Sequence, residues 1–153
     1  MHLAKLFLDS SALFAGIASA DGAARVLLLL GEAGQIEVWI SEQVVAETER
    51  ALARKAPRAL PAFRQALHGS GVLIVADPGA EEVAAAGDWI SHAADVPILV
   101  AARKVKADFV VTLNRKHFLD DPVVATRSGL RLCTPGEALE WVRGRLGTEV
   151  RGR

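Results

Sequence analysis

The sequence predicts an α/β protein: a three-layer α/β/α sandwich around a central, mainly parallel sheet. Three observations lead there. Short, near-continuous apolar runs recur along the chain, as strands buried on both faces require. Helical material, rather than a hairpin turn, separates each run from the next, which calls for crossovers of one hand and a parallel sheet. The 153 residues are enough for one such sheet with both faces covered. The predicted unit is a single domain over residues 1–146, with a frayed tail over 147–153.

LAKLFLD (3–9) is the first apolar strand, and residues 11–34 follow as helical material broken near Asp21-Gly22 and closed by Gly31 and Gly34. IEVWIS (36–41) has strand composition. Ser41 then stands as the N-cap of a helix over 41–55 that Pro57 stops. A helix over 57–71 carries Pro61 near its start and Gly69 and Gly71 at its exit. VLIVAD (72–77) is the third strand, and helices follow over 81–93 and 95–107, the second with Asp95 at an N-cap position and Pro97 in its first turn. DFVVTL (108–113) and LRLCT (130–134) are the fourth and fifth strands, and PGEALEWVRGRL (135–146) is the closing helix.

With 18 basic and 18 acidic residues the charges cancel, so no overall field steers the chain toward nucleic acid or an anionic membrane. Locally the charges segregate. Arg50, Arg54, Lys55, Arg58 and Arg64 form a block without acids, and Asp77, Glu81, Glu82, Asp88 and Asp95 a block without Lys or Arg. The single Cys133 forms no internal disulfide and fits a reducing cytoplasm. Ala18-Ser19-Ala20 resembles a signal-cleavage site, but Asp9 sits in what would be the apolar region, so an unprocessed protein with no membrane role is expected.

In parallel α/β sheets ligands bind beyond the carboxyl ends of the strands. Asp9 ends the first strand and Asn114 the fourth, so the two share one rim. Glu47 and Glu49 border the inward stripe of their helix on opposite sides, each about 100° from its centre, and periodicity does not choose between them. Taken singly, Asp9 and Asp95 are ordinary N-caps and Glu47 a solvated helix residue. Taken together, a strand-end Asp, a mid-helix Glu and a helix-start Asp converge on one rim. Such carboxylates repel unless a cation neutralises them, and hard oxygen ligands suit Mg²⁺ or Mn²⁺.

Four segments in order, LFLDSSALF, ISEQVVAETERAL, DVPILVAARKVKADFVVTLNRKHF and LRLCTPGEAL, resemble the successive motifs of PIN-domain nucleases over nearly the whole chain. The resemblance selects Glu47 over Glu49. It implies a compact PIN-like nuclease that cuts phosphodiester bonds, commonly in RNA, with one or two divalent cations in an acidic pocket. Asp9 and Asp95 would then be primary metal ligands, and Glu47 a ligand or the group that orients the attacking water. Asn114 stands where many relatives carry Asp, which implies a weaker second cation site, and Ser11 and Thr112 would support the carboxylates.

The resemblance extends to bacterial VapC-type toxins held in check by an antitoxin, and compact members commonly pair, so an antitoxin and a homodimer are the expected partners beside RNA. Arg115 and Lys116, with His117, follow the site turn and would meet phosphates; a solvated loop accounts for them equally. The segments VLLLL (26–30) and LEWV (139–142) are candidates for an interface or for core. Trp39, Trp89 and Trp141 read as core or interface. The alternative is a PIN-like scaffold that binds RNA or protein and cuts weakly or not at all. A phosphatase or phosphoreceiver, which also places an acid after its first strand, is disfavoured because Ser11 stands where a second Asp is required.

Overall fold

The computed structural model describes residues 2–69 and 71–151, the side chains of residues 148–151 excepted. Five parallel strands form one sheet in the order β3-β2-β1-β4-β5. They are β1 (Lys5–Leu8), β2 (Glu37–Ser41), β3 (Leu73–Val75), β4 (Phe109–Val111) and β5 (Leu132–Cys133). The central position of β1 explains its unbroken apolar run: Leu6, Phe7 and Leu8 are fully buried, with helices covering both faces. The register pairs Phe7 with Trp39 on one side and Val110 on the other.

The helices are α1 (Ser10–Ala18), α2 (Ala23–Glu32), α3 (Glu42–Lys55), α4 (Leu60–His68), α5 (Ala80–Ala85), α6 (Val96–Lys104), α7 (Pro122–Ser128) and α8 (Pro135–Arg151). The expected break near Asp21-Gly22 is present: Gly22 has φ of 99°, a conformation that favours glycine, and α1 and α2 meet at 88°. Ser41 caps α3 as expected, its hydroxyl accepting from the Val44 N–H. No single described helix is long and apolar enough to cross a membrane. Within VLLLL, Leu27 and Leu28 are buried, Val26 and Leu30 half-buried and Leu29 exposed, and Leu139 and Val142 are buried on α8.

Several boundaries differ from the sequence reading. The helix expected over 57–71 is a 3₁₀ turn (Pro57–Ala59) followed by α4, which ends at His68; position 70 lies outside the described residues. The helix expected over 81–93 ends at Ala85, after which i to i+3 bonds, including Trp89 N–H to Ala86 O, tighten the chain and bring Ile90 into the core. A further 3₁₀ turn spans Ala93–Asp95.

The helix expected over 95–107 stops at Lys104 because Lys106 adopts φ of 58°. Ala107 N–H then donates to Ala102 O and Lys106 N–H to Arg103 O, a Schellman closure built on a non-glycine residue. Residues 114–129, to which no element was assigned, contain a π-helical turn (Arg115–Leu119) and α7. The closing helix continues past Leu146 to Arg151, so the first five residues of the expected tail are helical, and residues 152 and 153 lie outside the described residues.

Moving outward from β1, the chain builds β2 and β3 on one side and then returns to build β4 and β5 on the other. Its winding reverses between β1 and β4, and such a reversal leaves a crevice beyond the carboxyl ends of the two strands. Asp9 follows β1 directly, and Thr112 follows β4.

Candidate active site

The Asp9 side chain is 4% exposed. Its Oδ1 accepts from the Ala12 N–H at 3.0 Å and from the Ser11 hydroxyl at 2.7 Å; its Oδ2 accepts from the Thr112 hydroxyl at 2.5 Å. Asp9 therefore does cap α1, and the cap uses one oxygen while β4 holds the other. Both hydroxyls are relays. Ser11 Oγ accepts from the Leu113 N–H at 2.9 Å and Thr112 Oγ1 from the Asn114 N–H at 3.0 Å, so two β4-side amides are coupled to one carboxylate. The constraint fixes Asp9 at the junction of β1 and β4.

The other acids are held differently. Glu47 is half-buried on α3 while Glu49 is exposed. Glu47 Oε1 is inaccessible to solvent and makes no hydrogen bond. Asp95 occupies the N-cap position of α6, yet its backbone is helical and its carboxylate caps nothing. Gln43, one turn before Glu47, donates from its side-chain amide to Ala94 O at 2.7 Å and ties α3 to the loop that carries Asp95. Asn114 Oδ1 accepts from the His117 N–H at 3.1 Å, which starts the π-helical turn.

Burial raises all three carboxyl pKa values, and repulsion adds to it at Asp9 and Glu47. For Asp9 burial dominates, the bonds from Thr112, Ser11 and Ala12 oppose it, and Asp95 adds repulsion. Burial is also first for Glu47, with repulsion from Asp95 and a lesser share from Asp9, opposed by Gln43 and Arg50. At Asp95 burial again leads, countered by His92 and His117. These shifts put the three acids within electrostatic reach of one another across β1, α3 and α6.

Among the described residues no three Asp, Glu, His or Cys side chains form a ready-made ligand cage. Mg²⁺ does not need one, because it keeps several waters and binds through one or two carboxylates. The donors are all hard oxygens, and the buried, unpaired Glu47 Oε1 is the kind of atom a cation or its water satisfies. The residues fit a divalent cation.

A consequence for stability follows. A carboxyl whose folded pKa is raised stabilises the fold below its unfolded pKa, near 4.5 for Glu47, and that contribution is lost as pH rises through the folded value. In chelator, Glu47→Gln should melt like wild type at pH 4 and above it at pH 7 to 8. Added Mn²⁺ should shrink that gap by stabilising wild type alone. Thermal melts across pH with and without the cation read both effects.

Arg115 and Lys116 are exposed on the π-helical turn immediately after Asn114, and Arg115 lies 3.9 Å from Asp120. The basic block runs the other way: α3 descends from the rim, which places Lys55 about 12 Å along the helix from Glu47. Trp39, Trp89 and Trp141 are half-buried; Arg103 lies over Trp89, and Arg131 and Arg145 over Trp141.

Of two residues beside the acids, His92 was not read as a site residue from sequence, and His117 was read only as a phosphate contact. His92 and His117 pack edge to face at 4.9 Å and bear on Asp95. The cue was available in part, since His117 lies inside the NRKHF segment and His92 precedes Asp95 by one turn. A surface cavity of about 330 Å³ lies between α2 and α4, lined by Leu28, Leu29 and Ala66, and not at the acids.

No curated protein matches the chain by sequence comparison. Solved structures do match in fold. PAE2754 from Pyrobaculum aerophilum is 17% identical with a TM-score of 0.64, covering 92% of this chain and 90% of its own. VapBC2 from Rickettsia felis, bound to a DNA fragment from its promoter, is 20% identical with a TM-score of 0.59, covering 85% of this chain and 98% of its own. VapC20 from Mycobacterium tuberculosis, a sarcin-ricin loop cleaving toxin, is 19% identical with a TM-score of 0.54, covering 72% of this chain and 91% of its own. The sequence profile of the PIN domain matches residues 5–116, a span that carries Asp9, Glu47, Asp95 and Asn114. With that span most of the chain, the chain belongs to the PIN-domain family of nucleases.

Proposed function

We propose that the protein is an Mg²⁺- or Mn²⁺-dependent endoribonuclease whose catalytic residues are Asp9, Glu47, Asp95 and Asn114. One observation carries the proposal: the buried Glu47 Oε1 has no hydrogen-bond partner, on a carboxyl already repelled by Asp95 and Asp9. A fold keeps such an arrangement at a cost to its stability, and function is the usual reason. Asp9 and Asp95, with Glu47, would hold the cation, which when bound supplies a Lewis acid for the phosphate oxygen and lowers the pKa of water.

The chain's own residues supply the rest. Ser11 and Thr112 orient Asp9 and favour its ionised form against burial through their hydrogen bonds. Glu47 ligates the cation or turns the attacking water toward phosphorus. Asn114, its carbonyl oxygen bonded to the His117 N–H, leaves its amide to hold a water or a phosphate oxygen. Exposed Lys116 and Arg115 contact flanking phosphates, contacts that position a strand without reading its sequence.

The biological setting is that of a cytoplasmic, homodimeric toxin restrained by an antitoxin. The similarity in fold to VapBC2 and VapC20 supports this setting. Calorimetric titration with Mn²⁺ tests the proposal. Wild type should give a saturable site, and Asp95→Asn should weaken it at least tenfold. A protein that binds RNA while neither binding Mn²⁺ nor cutting would instead be the scaffold.

A further inference from the structure

A second cavity, about 280 Å³, opens between the α1–α2 corner, the turn after β4 and the start of α8. Ala15, Ala23, Leu113, Pro135 and Gly136 line it, with Asp21 at its edge. Leu113 is the lining residue it shares with the turn that follows β4. Leu113 lies between Thr112 and Asn114, its N–H is bonded to Ser11 Oγ, and Ser11 is bonded to Asp9. Ala15 stands one turn of α1 beyond Ser11. Leu113 nevertheless leaves 49% of its surface exposed, although its neighbours Val111 and Thr112 are fully buried.

We propose that this slot takes up one unpaired nucleobase next to the phosphate being cut, with Asp21 accepting a hydrogen bond from the base's exocyclic amino group. The proposal rests on the ribonuclease reading above and adds a base subsite to it. Small and apolar walls leave a space suited to a flat ring, and an exposed leucine offers the face on which a base packs. Leu113 lines the slot and is tied through Ser11 to Asp9, which puts the slot on the flank of the site, where the base adjoining the cut phosphate would lie.

Asp21 supplies the polar edge. The Ser19 hydroxyl donates to Asp21 O at 2.7 Å and to Asp21 Oδ1 at 3.2 Å, which steadies the carboxylate and leaves its other oxygen to accept from a ligand. A carboxylate accepts from the amino group of cytosine and is repelled by the carbonyl that uracil presents in its place. Adenine and guanine also carry amino groups, so the subsite disfavours uracil in particular.

Gly136 allows the slot to be filled without disturbing the fold. A Cβ there meets only Thr134 Oγ1 at 3.9 Å, and the position needs no left-handed backbone. The experiment measures kcat/KM on RNA oligonucleotides in which one abasic position is walked across the cut site. For wild type, one position beside the cut should cost about tenfold, in the range expected for packing a single base. Gly136→Phe should lose about tenfold on the intact strand and become indifferent to the abasic position, while binding Mn²⁺ as wild type does. Asp21→Asn, which keeps the shape, should erase the preference for cytosine over uracil there.

If wild type cuts RNA but tolerates every abasic position, or Gly136→Phe cuts like wild type, the slot is overturned while the nuclease reading stands. If wild type binds Mn²⁺ but cuts no RNA, the ribonuclease reading falls and takes the subsite with it.

Discussion

Replacing Asp95 by asparagine should lower cleavage at least a hundredfold, about 2.7 kcal/mol of transition-state stabilisation at roughly 1.36 kcal/mol per decade. The melting temperature at neutral pH should stay level or rise. This pairing of outcomes comes from the geometry of Asp95. Its carboxylate sits at the N-cap position of α6 but makes no cap bond, so the amide variant removes nothing the helix relies on. Burial raises its pKa, and it repels both Asp9 and Glu47. Removing the charge relieves both groups. If Asp95 were structural, stability would fall and cleavage would persist; if it holds a cation, the reverse holds. Steady-state cleavage and a thermal melt of the same preparation separate the two.

Asp9 behaves in the opposite way, and Asp9→Ala should cost about 3 kcal/mol of stability. Loss of a capping side chain accounts for about 1 kcal/mol. The Thr112 hydroxyl, fully buried, and the half-buried Ser11 hydroxyl lose their acceptor, and each buried donor left unpaired costs about 1–3 kcal/mol. Relief of one buried charge offsets part of the sum. The offset is partial because the three bonds oppose the burial of that charge. For a chain of this length, about 3 kcal/mol corresponds to a fall in Tm of roughly 10 °C. Asp9→Asn keeps both bonds to Oδ1 and loses only the acceptor for Thr112, so its melting temperature should lie between wild type and Asp9→Ala. Equal melting of wild type and Asp9→Ala would mean that β4 is not anchored through this carboxylate.

How far the sequence carried depended on whether a signal was local. β1 was legible because a central parallel strand must be apolar on both faces, and Leu6, Phe7 and Leu8 announce it. The break at Gly22 and the Ser41 cap were legible because turn and cap chemistry sit in one or two residues. The stop at Lys104 was not: an αL lysine at 106 has no sequence signature, since glycine or asparagine is expected there. α7 had readable ends, Asp121 capping through Val123 N–H, Pro122 in the first turn and Gly129 with φ of 72°, but its seven residues carry too little periodicity to stand out.

Within the site, the strand-end rule located Asp9 and the Asn114 turn on one rim. Periodicity left Glu47 and Glu49 equivalent, and burial separates them: one half-buried, the other exposed. His92 was missed, and the approach of His117 to Asp95 was not legible, because their proximity arises from a loop and a π-helical turn that no sequence period describes.

The bond between Thr112 and Asp9 joins residues 103 positions apart. During synthesis the first acid therefore emerges long before the strand that locks it, and a ribosome-bound fragment that ends short of β4 holds Asp9 without this partner. Translation itself thus delays assembly of the candidate site until β4 has followed β1 out of the ribosome, an interval in which a co-translational partner would meet the first acid before it is locked.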